Sequence, residues 1–357
     1  MKIIELNLKS FGLKVITIKF SEITSQTNKE LQKRLYHIGN QIQISSDEIL
    51  LSLTIYELYK LIKSWKNEDE KEKLSTIFER HRIIWAGKNF SFDLTLNPIV
   101  YSIMNVTPDS FYDGAKKNLS LSHIMKVAEE NLSNGADVLE LGGKSSRPGY
   151  SDITPEEEWL RLKVAIAEMR KEFPKSVLAV DTDEAYVMER AIDAGIDIIN
   201  DIDGFDTEEK LKIVHNYLPS VVAMNNGRAG FSYADNVYEE LPKFFMNKGN
   251  ELLELGLKKE QICIDAGVGF WNGPSGSDSV QRVKSTDLLA ELGFPVMIAI
   301  SRKSFMENIF SAKGDERLFS SLMLEAQMIA DGGRILRVHD TKETKHLIDA
   351  YKLYQEF

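Results

Sequence analysis

Apolar positions along the chain change their rhythm near residue 80. Before it, IIELN, LKVITIKF and DEILLSLT carry the short apolar runs of strands, whereas Thr27 to His37 and IYELYKLIKSW repeat their apolar residues at helical spacing. The charged run KNEDEKEK (66–73) reads as a solvated helix face or a connector in preference to a binding tail. Residues 1–79 are therefore expected to form a small α/β domain, and 80–357 a second, larger one.

The larger part opens with RIIWAGKNFSFDL, two apolar runs about Gly87-Lys88 that predict a β-hairpin, with Trp85 and Phe90 as a plug for whatever lies behind it. Eight apolar runs of strand length follow: IVYSIM, DVLELG, VLAVD, IDIIND, SVVAMN, QICID, VMIAIS and RILRVH. Amphipathic segments with helix signals separate them. Thr154-Pro155 with Glu157 places a capping box at one start, and Gly135 and Gly195 sit where two helices stop. Eight strand–helix alternations predict an α/β fold of the (β/α)₈ TIM-barrel type. No GxGxxG follows the first of these strands, which argues against a dinucleotide fold.

Composition narrows the picture. At 43% hydrophobic and 27% charged the chain is of ordinary globular type, and no apolar run reaches the ~18 residues of a membrane span. Lys2, Lys9, Lys14 and Lys19 break up the first apolar stretches, so no secretory signal and a cytoplasmic location are expected. The single cysteine, Cys263, lies in the apolar run QICID and reads as a buried structural thiol and not as a nucleophile. A net charge of −10 leaves no footprint for nucleic acid, so local basic residues must overcome the global field if the ligand is anionic.

All eight runs finish in polar residues. They lead into Asn105, Gly142-Gly143-Lys144, Asp181, Asn200-Asp201, Met224-Asn225, Asp265, Ser301-Arg302-Lys303, and Arg337 with His339. That is the end of a barrel where catalytic groups gather. Any one of these could be a helix cap or loop residue. Asp181, Asp265, Lys303 and Arg337 on one rim, however, cost desolvation unless a polar ligand pairs with them. Carboxylates and an amide suit a flat heterocycle with adjacent N–H donors, and the basic ends of the last two strands suit a phosphate. His339 beside Arg337 favours ligand contact over a structural role, while His215 and His346 lie on amphipathic helices and read as surface residues.

Several strings then resemble those of the dihydropteroate synthase family. They are NVTPDSF (105–111) with Asp113-Gly114, LGGKSSRPG (141–149), VDT (180–182), INDIDG (199–204), IDAGVGF (264–270), ISRKSF (300–305) and RVHD (337–340), in the family's order. The match runs from about 83 to 345, and the first 79 residues resemble an extension found on some longer members. The resemblance implies a transferase that joins a dihydropterin diphosphate to 4-aminobenzoate in folate biosynthesis, with Mg²⁺, as a homodimer. It implies that Asp181, Asn200, Met224, Asp265, Phe270 and Lys303 surround the pterin. Asn105, Arg337 and His339 would hold the diphosphate, Asn105 through Mg²⁺. Phe111, Ser146, Arg147, Pro148 and Ser304 would build the 4-aminobenzoate pocket with Lys303. Asp113, Lys303 and Arg337 would be the catalytic groups, Asp113 facing the reacting carbon.

The chain departs from the family pattern at the rim. Lys144 replaces a usual Glu, Glu184 a Lys, Asn225 a His and Ala266 a Pro. Trp271-Asn272 replaces Gly-Lys ahead of GPSGSDS, which looks like an insertion. Lys144 brings positive charge near a cationic transition state unless Glu140 or Asp113 pairs with it, so Lys144→Glu is expected to raise turnover. Two alternatives remain at this point: a pterin-binding paralogue without turnover, and a folate-dependent methyltransferase. The pairing of Arg337 and His339 with the Ser301–Ser304 string argues against the second, which has no diphosphate to hold. The loops 106–118 and 143–154 are expected to order only on pterin diphosphate, creating the second site.

Overall fold

The computed structural model describes residues 1–6, 15–35, 38–106, 121–144, 153–227, 236–270 and 277–356. The N-terminal part is an antiparallel sheet in the order β1-β2-β4-β3, made of β1 (Lys2–Leu6), β2 (Ile16–Ser21), β3 (Asn40–Ser45) and β4 (Glu48–Leu53). Three helices belong to it: α1 (Ser25–Leu35), α2 (Ile55–Ser64) and α3 (Glu68–Arg80). They close a core of their own, in which Leu31, Leu58, Leu61, Leu74 and Ile77 meet the buried face of β2 and β4. A complete capping box between Thr54 and Glu57 starts α2, and Asn67 caps α3 through the Glu70 amide. The charged run is thus the solvated face of α3, whose Leu74 and Ile77 are buried. Strand β3 was not visible in the pattern, because its NQIQIS lies exposed along a sheet edge.

A two-stranded hairpin, β5 (Ile84–Ala86) with β6 (Ser91–Asp93), leads into the barrel. The barrel strands are β7 (Ile99–Asn105), β8 (Val138–Gly142), β9 (Val177–Asp181), β10 (Ile198–Asp201), β11 (Ser220–Met224), β12 (Ile262–Asp265), β13 (Val296–Ile298) and β14 (Ile335–Val338). They pair in parallel and close into one barrel, with β14 returning to β7. Its helices include α4 (Leu121–Ser133), α5 (Pro155–Glu172), α6 (Ala185–Asp193), α7 (Glu208–Tyr217), α8 (Val237–Glu254), α9 (Ser277–Lys284), α10 (Thr286–Glu291), α11 (Phe305–Phe310), α12 (Glu316–Ala330) and α13 (Thr341–Glu356). The (β/α)₈ expectation holds.

Local signals explain the joints. Gly135 and Gly195 take left-handed backbone at φ 93° and 94°, ending α4 and α6. Thr154 caps α5 through the Glu157 amide at 3.2 Å, but the Glu157 carboxylate turns to Arg161 at 2.7 Å, so only half of the expected box forms. Trp85 is fully buried against Phe90, its ring 5.4 Å away, and Tyr101, 6.2 Å away. With Val138, Ala179, Val222, Cys263 and Met297 these rings fill the barrel interior from its N-terminal end, as the plug reading expects. Cys263 is buried there, and burial pushes its thiol well above the ordinary range, as befits a structural residue. His215 and His346 are exposed.

Candidate active site

With the lower barrel filled by apolar side chains, polar groups are left to its C-terminal rim. Parallel register sets them side by side: Asn105 against Gly142, Gly142 against Asp181, Asp181 against Asn200, and Met224 against Asp265. The centre is Arg337 on β14. Its Nε donates to Glu140 Oε1 at 2.9 Å, and its Nη2 donates to Asp181 Oδ2 at 2.6 Å and to Glu140. Asn200 Nδ2 donates to the other Glu140 oxygen at 2.8 Å. Glu140 and Asn200 are buried, and the side-chain Oδ1 of Asn200 has no partner among the described residues.

Burial raises the Asp181 carboxyl above its ordinary range; the Arg337 charge opposes the rise and Glu140 adds to it. Burial works against the Arg337 charge, and Glu140 and Asp181 more than reverse that, so the guanidinium stays charged. Across the rim, Asp265 Oδ1 accepts from the Gly267 amide at 2.8 Å. Burial raises the Asp265 carboxyl, with Lys303 opposing. Lys303 donates to the Val268 carbonyl and stands 4.9 Å from the centre of the Phe270 ring. Burial lowers its ammonium to about 8, against the pull of Asp265. Asp181, Asn200, Met224, Asp265, Phe270, Lys303 and Arg337 thus gather at the C-terminal end of the barrel. Asn105, His339 and Ser304 lie exposed at its edge, with His339 Nδ1 3.3 Å from Ser301 Oγ. Phe111, Asp113, Ser146, Arg147 and Pro148 lie outside the described residues, as do most of the loops 106–118 and 143–154 and the pair Trp271-Asn272.

The rim holds groups that the pattern did not single out. Glu140, named from the sequence only as a neighbour for Lys144, is instead the partner of Arg337 and Asn200. Lys144 donates to Asp183 Oδ1 and to Glu184 Oε1, both at 3.2 Å, and not to Glu140, which Arg337 occupies. The altered Lys144 and the altered Glu184 are therefore one reversed ion pair between the ends of β8 and β9. The expectation for Lys144→Glu excepted a lysine that finds a carboxylate partner, and that exception applies here with Asp183 and Glu184 as the partners; the exchange would place a third carboxylate beside two. Beneath them Glu158, fully buried in the first turn of α5, is raised to about 7 by burial and the nearby Asp183 charge.

Arg282 on α9 is wholly buried. It donates to the Asn225 carbonyl at 2.9 Å, to Asn225 Oδ1 at 3.2 Å, to the Ala266 carbonyl, and to Asp278 at 3.0 Å. It ties together the ends of β11 and β12, at the two positions where Asn225 and Ala266 depart from the family pattern. Gly267 belongs to the same joint: at φ +69°, a Cβ there would fall 1.9 Å from the Asn225 carbonyl oxygen. Arg302 grips Asp340 through Nε and Nη2 at 2.7 and 2.8 Å, joining the ends of β13 and β14.

Comparison with known proteins fits this geometry. The family described as pterin binding enzyme matches residues 101–339. Dihydropteroate synthase of Neisseria meningitidis serogroup B is 30% identical over 289 residues, spanning 77% of this chain and 97% of that one. The Bacillus subtilis dihydropteroate synthase is 34% identical over 248 residues, 69% of this chain and 84% of that one. The solved dihydropteroate synthase of Xanthomonas albilineans with 4-aminobenzoic acid superposes at a TM-score of 0.71 with 28% identity, covering 77% of this chain and 99% of that one. The chain belongs to the dihydropteroate synthases, transferases of the pterin-binding enzyme family.

Proposed function

We propose that the chain condenses 6-hydroxymethyl-7,8-dihydropterin diphosphate with 4-aminobenzoate, releasing 7,8-dihydropteroate and diphosphate. The observation that carries this reading is the ring of Asp181, Asn200, Asp265 and Lys303 about Arg337 on one barrel rim. Asp265 and the unpartnered Asn200 oxygen are acceptors for the N–H edge of a pterin, and Lys303 is a donor to its carbonyl side. Asp181 keeps one oxygen on Arg337 and offers the other to the ring. Met224 and Phe270 are its apolar walls. Arg337 and His339 would hold the diphosphate. The C–O bond breaks with its electron pair on the departing diphosphate; the aryl amine forms the C–N bond and then loses a proton. Carboxylates fixed on the rim, such as Asp181, would favour the cationic carbon between those events, with Asp113 in the role that the family resemblance gives it. Ser304, with Phe111, Ser146, Arg147 and Pro148, would seat the 4-aminobenzoate.

Mg²⁺ fits the donor set. Asn105 is exposed at the end of β7. One amide oxygen together with diphosphate oxygens and water suits an ion that takes few protein ligands. When bound it would neutralise charge on the leaving group. A homodimer is the proposed assembly, supported by Phe319 and Met323 on α12, each 73% exposed, beside Phe310 of α11. No helix among the described residues is long and apolar enough to cross a membrane, in keeping with a cytoplasmic enzyme acting on small molecules.

The reading is tested at Asp265. Replacing a charge-assisted acceptor pair by an amide in Asp265→Asn is expected to weaken pterin binding by ~2–3 kcal/mol in calorimetry. Lys303→Met is expected to lower affinity as well. Unchanged pterin affinity in the Asn variant would remove Asp265 from the site.

A further inference from the structure

At the opposite end of the barrel, a cavity of about 110 Å³ lies between the N-terminal domain and the barrel floor. Ile16, Ile55 and Tyr56 wall it from the domain, and Ile83, Arg334 and Tyr351 from the barrel. Arg334 is only 6% exposed. It is held from the barrel side: its amide donates to Val296 and its carbonyl accepts from Ile99 at 3.0 and 2.9 Å. Its Nη1 donates to the carbonyls of Ile329 and Gly333, both at 2.8 Å. Its buried Nε has no partner, and the guanidinium makes no ion pair among the described residues.

That is an unusual place to leave a charge. The other deeply buried arginine, Arg282, has Asp278 beside it, and Arg337 has Glu140 and Asp181. A buried cation with no counter-ion is costly, and its cheapest remedy is an anion from outside. Neighbouring groups cannot supply one. Burial raises the phenols of Tyr56 and Tyr351, the latter to about 12, so neither ionises near neutrality. Tyr56 donates to the Leu96 carbonyl at 3.2 Å, and its ring lies 6.0 Å from the Arg334 guanidinium. His81 is engaged by Glu5 at 2.5 Å, and Asp331 accepts from Gln327 at 2.9 Å.

We propose that this cavity binds a small monocarboxylate with a compact apolar body, its carboxylate on Arg334 and its body among Ile16, Ile55 and Ile83. A guanidinium with an unpartnered nitrogen suits a carboxylate, and three isoleucines among polar residues such as Thr54, Thr95 and Gln355 favour an anion with an apolar part over a fully polar one. The volume is below the ~150 Å³ of an apolar cavity that takes benzene, which sets the size at a short aliphatic acid or a single ring that partly protrudes. The N-terminal domain thereby supplies half of a ligand site remote from the chemistry. The assignment does not depend on the pterin reading.

Calorimetry on the full chain with propionate and benzoate tests it, with propionamide and inorganic phosphate as controls. Millimolar binding of at least one carboxylate is expected, with propionamide and phosphate weaker by about tenfold or more. Arg334→Gln should abolish it. Because Arg334 also supports two carbonyls, Ile55→Trp provides an independent variant that fills the space and leaves the cation; it should abolish binding too. Lys303→Met should leave it intact, which separates this cavity from the rim site. Phosphate binding as tightly as the carboxylates would overturn the ligand class. No carboxylate binding, or binding that survives both variants, would overturn the site.

Discussion

The reversed pair at the rim gives a quantitative test of how the second and third barrel loops are held. Lys144 bonds Asp183 and Glu184 at 3.2 Å each, and the side chains are 18%, 16% and 31% exposed. Pairs this far withdrawn from water belong at the upper end of the surface range, about 1 kcal/mol each. Lys144→Glu removes both and adds like-charge repulsion of similar size, so the loss is roughly 2–4 kcal/mol in urea unfolding. Because Lys144 follows closely on β8, which carries Glu140 to the rim, kcat/KM is expected to fall with stability. Glu184→Lys alone should likewise destabilise, by bringing two ammonium groups together. The double variant Lys144→Glu/Glu184→Lys restores one opposite-charge pair and should recover much of the loss, a coupling of roughly 1–3 kcal/mol between the positions. Unfolding midpoints and kcat/KM of the four proteins complete the cycle. Additive effects, or a Lys144→Glu enzyme faster than the parent, would refute the pairing as the reason for the two exchanges.

Two further perturbations probe buried charge. Arg282→Met leaves Asp278 unpaired and strips donors from the Asn225 and Ala266 carbonyls; it should cost roughly 3–5 kcal/mol of stability and weaken pterin binding, whereas Arg282→Lys should recover part of both. Glu325 on α12 is 1% exposed, and burial with the nearby Asp340 charge raises it to about 8. Its folded pKa exceeds its unfolded one, so the stability tied to its proton is complete below the unfolded value of 4.5 and is lost as pH rises through about 8. Glu325→Gln should therefore flatten the decline in urea stability between about pH 5 and about pH 8, by roughly 2–4 kcal/mol. An undiminished decline would mean that Glu325 titrates normally.

The barrel was legible because parallel strands buried on both faces read as continuous apolar runs, each ending in a polar residue at the same rim. Asp181, Asn200, Asp265, Lys303 and Arg337 announced themselves that way, as did the Trp85 plug on a hairpin. What escaped notice shares a physical cause: its meaning lies in a partner distant in sequence. Glu140 could be weighed only against Lys144 close by in the chain, until Arg337 arrives from almost two hundred positions away. Lys144 and Glu184 seemed two separate anomalies, since forty residues separate two ends that β8–β9 pairing brings together. Arg282 belongs to no motif, and its partners Asn225 and Ala266 lie at the ends of other strands. β3 escaped for the opposite reason: it is an exposed edge strand, and polar alternation there imitates a loop.

The most direct test of the central claim is turnover by the purified full chain. Supplied with Mg²⁺, 6-hydroxymethyl-7,8-dihydropterin diphosphate and 4-aminobenzoate, it is expected to release diphosphate and form 7,8-dihydropteroate in equal amounts, and Lys303→Met should lose both together. Tight pterin binding with no diphosphate released, under conditions where a characterised dihydropteroate synthase turns over, would contradict the account and leave a binding protein on an enzyme's barrel.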